Sequence, residues 1–564
     1  MTSVQRGDAG RRSRRRGERL PVLGLSLLFL LLLSFSANAQ VVGSEGENIV
    51  NLPSTQRTVV LPPTRKAEVI DTTFYTLPPG DTLIFGSRIT NLHGDGGPLP
   101  VEGEFVRPMV LNAEASIGSF ISPRGRLALE YAVDRWNARG LLDLRSTAGH
   151  VDGAEASGIT VDAGAEYQIR GALPSPGNAR VSADLRYQGD DYTLYGRADG
   201  PLDRTRTFVD VGLGLASETD ASFDYAIDID ITSVALGDDT VGFSGEASAM
   251  SPSFGGRFRY GDDSLNINAS LRYVSTSLDY ATPTEGMSFL EAIAMGELSP
   301  ARGLFISGGV VLAAGDHSDS GSSTLVMPRG GIRYEASRTI GLYARFAPEL
   351  RAASYRDRIL RAPYVDREMP LRPEKHLIDV AGGLRLGFGT ASVEGEAYFR
   401  LSENTPVVTV TSPTAGSLAY THRDARTIGV RGLLRATIGE KVSLAAEARL
   451  ENAVDDETDE QLPMRPVVEL RGEAAMSLTE KIGLTGRVTF QGAQNVAINP
   501  QILPAGVDLT IGPRFLLDAG ATYRIAESFT LFAEITNLLV QSYDWWQGYE
   551  APGIEVRVGG RARF

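Results

Sequence analysis

Along most of the chain, apolar and polar residues alternate with a period of two, which is the mark of strands. Near the C-terminus Phe529, Leu531, Ala533 and Ile535 fall on one side, and Thr530, Phe532, Glu534 and Thr536 on the other. An aromatic loop with Tyr543, Trp545, Trp546 and Tyr549 follows. The alternation then resumes, setting Ile554, Val556, Val558, Gly560, Ala562 and Phe564 against Glu555, Arg557, Gly559, Arg561 and Arg563. Upstream, Ile428, Val430, Leu434 and Ile438 oppose Arg431 and Arg435, while Val442, Leu444 and Leu450 oppose Glu447 and Arg449. In the hairpin from Phe223, Tyr225, Ile227 and Ile229 oppose Asp224, Asp228 and Asp230. A soluble sandwich hides its apolar face, whereas a membrane barrel turns that face to lipid and keeps the polar one for its lumen. A one-residue slip would carry an arginine to the lipid midplane at ~2–4 kcal/mol, so register is strongly specified.

The spacing of the breaks predicts how many strands there are. Short breaks centre on Pro123, Pro176, Thr219, Asp262, Pro300, Arg338, Phe388, Glu440, Glu480 and Glu527, each pair enclosing two strands and a longer loop. Alternating short and long connections are the rhythm of an antiparallel outer-membrane barrel. Ten such intervals, a strand ending near Ser119 and a partner around Thr82–Thr90 predict an all-β transmembrane barrel of about 22 strands, within a range of 18–24. A β-helix or propeller needs no such alternation, and no repeated motif is present.

The N-terminus predicts export. Arg11, Arg12 and Arg14–Arg16 precede an apolar run from Leu20 to Phe35 and the small-residue exit Ala37-Asn38-Ala39, so residues 1–39 read as a signal peptide. Residues 40–80 are rich in proline and without periodicity, a flexible periplasmic segment; residues 81–564 form the expected barrel. No later run is apolar and long enough to span as a helix, so the chain crosses a membrane as strands or not at all. With no cysteine, disulfides and thiolate chemistry are excluded. A net charge of −14 argues against a nucleic-acid partner. The five histidines, His93, His150, His317, His376 and His422, lack ligand spacing, and no nucleophile elbow or phosphate loop occurs. The sequence therefore predicts no enzyme, no metal site and no cofactor.

The C-terminal strand resembles the assembly signal of bacterial outer-membrane barrels in Arg557, Gly559, Ala562 and the terminal Phe564. That resemblance implies recognition by the barrel-assembly machinery. Leu371-Arg372-Pro373-Glu374-Lys375, followed by a strand with Gly382 and Gly383, resembles the barrel of TonB-dependent receptors. Glu394–Val408, Leu462-Pro463-Met464-Arg465-Pro466 and Ile535-Thr536-Asn537-Leu538-Leu539 follow in that family's order. The resemblance implies the cell outer membrane, lipid around the wall, and transport or reception of a solute. It also implies a plug domain of well over a hundred residues, which does not fit in the about sixty residues between the expected cleavage site and the first credible strand. The TonB-like partner is accordingly in question, with Thr58-Val59-Val60 comparable to a TonB box, and a separate plug is the alternative.

Two sets of residues are candidates for the site. Arg431, Arg435, Arg449, Arg557, Arg561 and Arg563, with Glu394, Glu396, Glu447 and Glu555, occupy the polar strand faces and are expected to line the lumen. Mixed charge there either selects solutes or pairs with itself. Arg356, Arg358, Arg361 and Arg367 in the loop before Lys375, with Trp545 and Trp546, are candidate outer-loop ligand contacts, since arginine's fork suits carboxylates and phosphates. Internal pairing of that loop, and loop packing or an interfacial girdle for the tryptophans and Trp136, are the structural alternatives. A non-transport role in adhesion, assembly or envelope structure is the alternative function.

Overall fold

The computed structural model describes residues 109–564, apart from 170–178, 197–199, 218–222, 241–242, 262–264, 280–284, 318–320, 413–416, 440, 497–509 and 547. The expected signal peptide, the proline-rich segment, Thr58-Val59-Val60 and the strand at Thr82–Thr90 lie outside the described residues.

Each strand pairs antiparallel with its neighbours in the chain, from Met109–Gly118 onward. The ring closes where Met109–Gly118 meets the final strand, Glu555–Arg563, in the register Ala113↔Ala562 and Ile117↔Val558. Ile340–Phe346 and Glu349–Arg351 both lie along Glu374–Phe388 and make one interrupted strand, so the closed barrel has 22 strands. Phe564 completes the seam by exchanging two backbone hydrogen bonds with Leu111, at 3.1 and 2.9 Å.

The strand count agrees with the sequence reading, but the first strands are placed differently. Pro123 does not mark a turn: it lies inside Ser122–Val133, opposite Ile117. The turn is Ser119–Ile121, where Phe120 and Ile121 take positive φ, and the next hairpin turns at Asp134, also at positive φ. Apolar residues at such positions give no turn signal, whereas a proline near the start of a strand imitates one. Met109–Gly118 already has a partner on each side, so the ring is complete without Thr82–Thr90.

The two faces separate as the alternation predicts. Ile428, Val430, Leu434, Val556 and Val558 are exposed on the outside, while their alternates turn inward. Exposed aromatics, among them Trp136, Tyr260, Tyr334, Phe388, Tyr523 and Phe564, gather at strand ends beside the short turns, as an interfacial girdle does. Inside, aromatic rings lie over glycines. A Cβ on Gly383 would come 2.5 Å from the ring of Tyr343, and one on Gly429 would come 2.4 Å from that of Tyr398. Each tyrosine thus crosses the neighbouring strand to donate to a glutamate one strand further on, Tyr343 to Glu396 at 2.8 Å and Tyr398 to Glu451 at 2.6 Å. The glycines are what allow these struts to pass.

Candidate functional site

The wall of the lumen is a mesh of ion pairs. Arg431 meets Glu447 at 2.9 Å, Arg561 meets Glu114 at 2.8 Å and Glu534 at 3.8 Å, and Arg449 pairs with Glu451. Glu396 accepts from Tyr343 and lies 3.7 Å from Arg345, with Glu394 two residues away on the same face. Glu555 accepts from Thr536, and Arg557 donates to Ser116 and to the Ser122 carbonyl. Arg435 and Arg563 are exposed near the short-turn end. Three of the six expected lumen arginines, Arg431, Arg449 and Arg561, are therefore matched by carboxylates on the wall itself.

Sequence reasoning missed the most buried charges. Arg204 and Arg206 are each 1 % exposed. Arg204 holds Asp238 through two bonds of 2.6 and 2.8 Å, and Arg206 meets Asp190 at 2.8 Å. Both arginines stand at alternate positions on Leu202–Ser217, a pattern indistinguishable in sequence from any other polar strand face.

The long connection between Glu349–Arg351 and Glu374–Phe388 does not project outward: it folds into the mouth of the barrel. It contains a short helix, α1 (Tyr355–Arg361), capped by Ser354, whose side chain accepts from the Asp357 backbone N–H at 3.1 Å. Tyr355, Ile359, Val365, Met369 and Leu371 are at most 1 % exposed. They pack against Tyr192, Leu194, Phe208 and Leu236 on one arc of the wall and against Val408, Leu418 and Tyr420 on another. These apolar residues, interleaved with the arginines, are the sequence signal for an inward loop.

Hydrogen bonds fix this segment to opposite walls. Tyr192 donates to the Pro363 carbonyl at 2.8 Å, and Arg204 donates to the carbonyls of Pro363 and Val365 at 3.0 and 2.6 Å. From the far side Tyr420 donates to the Arg358 carbonyl at 3.0 Å, and the Asp366 N–H donates to the Leu418 carbonyl at 2.7 Å. Tyr192 and Tyr420 stand on strands half-way round the ring from each other, so the segment spans the mouth.

Three of the four expected ligand arginines are tied into this arrangement. Arg356 lies 3.3 Å from Asp210, Arg367 lies 3.5 Å from Asp238 and 3.7 Å from Glu368, and Arg358 donates to the Pro370 carbonyl and to Nε2 of His422. Arg361 alone lines a cleft, described below. Trp546 is 7 % exposed and packs in the mouth with Trp545 against the same cluster, so the tryptophan pair lies away from the girdle. An aromatic stack joins the segment to the surrounding loops: Tyr364 lies 3.9 Å from Tyr549, and Tyr195 lies 5.2 Å from Tyr549. Burial pushes the phenols of Tyr195, Tyr355 and Tyr543 above the ordinary range, and Tyr364 and Tyr549 add to the shift of Tyr195. All three remain neutral at physiological pH.

A closed 22-strand antiparallel ring with an apolar exterior, a paired polar interior and a loop folded across its mouth defines a large transmembrane β-barrel. A family profile described as TonB dependent receptor-like, beta-barrel, matches residues 112–538, and the chain belongs to that family. A barrel of this family sits in the outer membrane. No curated protein matches the sequence. Among solved structures, the FrpB iron transporter from Neisseria meningitidis is similar with a TM-score of 0.65, 8 % identity, and 82 % of each chain covered. The ferric-catecholate import receptor Fiu from E. coli K12 gives 0.63 at 11 % identity, covering 81 % of this chain and 82 % of the other. The copper transporter OprC gives 0.61 at 13 %, with 82 % of each covered. These likenesses are of fold, and with the family they place the chain among transport and receptor barrels.

Proposed function

We propose that this barrel is a gated receptor-transporter: it receives a solute at its outer mouth and passes it inward when the segment 353–371 leaves the lumen. The observation that carries the reading is the bonding of that segment to walls half-way round the ring from each other, which makes it an internal lid. The paired wall below supports a passage without strong charge selection, leaving discrimination to the mouth. Family membership supports a TonB-like protein or a separate plug as the partner that supplies work. In this reading residues 1–39 direct export, residues 40–80 remain in the periplasm, and 81–564 form the barrel embedded in outer-membrane lipid. Arg557, Gly559, Ala562 and Phe564 address the assembly machinery.

Planar-bilayer conductance tests the proposal, comparing residues 40–564 with the same protein in which 353–371 is replaced by a short Gly-Ser linker. A barrel this wide is not filled by side chains alone. The expected result is small or rare steps from the full chain and large, sustained steps from the variant. Equal large steps from both would overturn the lid and leave an open pore.

A further inference from the structure

Beside the lid, at the outer mouth, lies a cleft whose walls come from several separate parts of the chain. Arg361 contributes from the lid, Arg465 from the connection before Val468–Ser477, Arg514 from the start of Arg514–Ala526, and Trp545 and Trp546 from the last long loop. Val408 and Met464 complete an apolar side.

Two independent features point to a ligand. Arg514 is 6 % exposed, yet no carboxylate lies within 4.0 Å of its guanidinium among the described residues. Its partners are the Asp544 carbonyl at 3.4 Å and the rings of Tyr543 and Trp545, with centroids 5.3 and 5.9 Å away. Every other strongly buried wall arginine described above, Arg204, Arg206 and Arg449, has an acidic partner. Glu469 acts on this guanidinium only from beyond ion-pair distance, so the buried cation is incompletely compensated, and an incoming anion in direct contact lowers that cost. Second, Trp546 is more than nine-tenths buried, lines the same cleft, and its Nε1 has no acceptor among the described residues. Buried indole N–H groups ordinarily find one.

We infer that this cleft binds a small planar organic anion, an aromatic carboxylate or a close equivalent, with its oxygens at Arg514 and Trp546 Nε1 and its flat face against the tryptophans. The inference deepens the receptor reading by naming the solute class. It adds a specificity device: arginine's planar fork presents two parallel donors to a carboxylate, whereas a neutral ring leaves the buried charge incompletely compensated. The lid contributes Arg361 to one wall of the cleft, so occupancy and lid position are physically linked.

The test is equilibrium binding of 4-nitrobenzoate to the refolded full-length mature protein, read by quenching of tryptophan fluorescence and by calorimetry. The uncharged 4-nitrobenzyl alcohol and inorganic phosphate serve as comparisons. The expected result is saturable binding of the carboxylate, at least tenfold weaker binding of the alcohol and of phosphate, and a tenfold or greater loss in Arg514→Gln. Arg514→Lys keeps the charge without the fork and is expected to lose several-fold, as is Trp546→Phe, which keeps an aromatic face without the donor. Heat-modifiable electrophoretic mobility checks that each variant is folded. Equal binding of the alcohol, tight binding of phosphate alone, or binding unaffected in folded Arg514→Gln would each overturn the inference, as would no binding to the folded protein. Conductance that depends on the lid would still hold in those cases, so failure of the cleft and failure of the gated-transport reading are distinguishable.

Discussion

Arg204 is the fixed point that holds the lid, and replacing it with methionine separates docking of the lid from folding of the barrel. Methionine approximates the stem of the side chain and removes only the guanidinium. The lid then loses two charge-assisted hydrogen bonds, to the carbonyls of Pro363 and Val365. Such bonds are worth about 1.5–3 kcal/mol each. Asp238 keeps a cation, since Arg367 lies 3.5 Å away, which lessens the penalty of leaving a buried charge. Taking the lower end for both bonds, docking weakens by about 3 kcal/mol, or roughly a hundredfold in the docked-to-undocked ratio. The chain has no cysteine, so Val365→Cys introduces a unique thiol at a fully buried lid position. Maleimide labelling of Val365→Cys in the intact barrel is expected to be slow, and about a hundredfold faster once Arg204→Met is added. Labelling within twofold of the single variant, with the barrel still heat-modifiable, would show that Arg204 does not hold the lid and would refute the argument.

Other expectations concern the wall and its seam. Gly429→Val places side-chain atoms where the Tyr398 ring lies and is expected to destabilise the barrel by about 1–3 kcal/mol in denaturant unfolding from detergent. Tyr398→Phe should relieve part of that loss when combined with it, because the hydroxyl is among the atoms a Cβ at 429 would strike. Deleting Phe564 removes both backbone bonds to Leu111 and is expected to slow closure, measured as a fall in the heat-modifiable fraction after timed refolding. Breaking Arg431–Glu447 by Arg431→Met should change stability by no more than about 1 kcal/mol, since both side chains are partly solvated in the lumen. A loss above about 3 kcal/mol would mean that this pair is as dry as Arg204–Asp238.

The sequence by itself determined the barrel. Its two-residue alternation assigns every strand a lipid face and a lumen face, and lipid penalises a slip so heavily that pattern becomes register. Strand number followed from the rhythm of short and long breaks, although the first hairpin was misplaced because Phe120 and Ile121 turn without glycine, asparagine or aspartate. The family resemblance carried by Leu371–Lys375 and the last strands was legible for the same reason: it consists of local turn and strand signals.

Only the tertiary structure decided what fills the mouth. The arginines from Arg356 to Arg367 read as exposed ligand contacts because sequence shows their charge and not their partners. Asp210, Asp238 and His422 reach them from strands far away in the chain. Trp545 and Trp546 gained their meaning when closure of the ring brought the last long loop beside Met464 and Arg514. An arginine in a contact ion pair and one outside ion-pair distance of any described carboxylate look identical in sequence. The difference between Arg204, bound to Asp238, and Arg514, held only by rings and a carbonyl, exists only once the ring is closed and water is excluded.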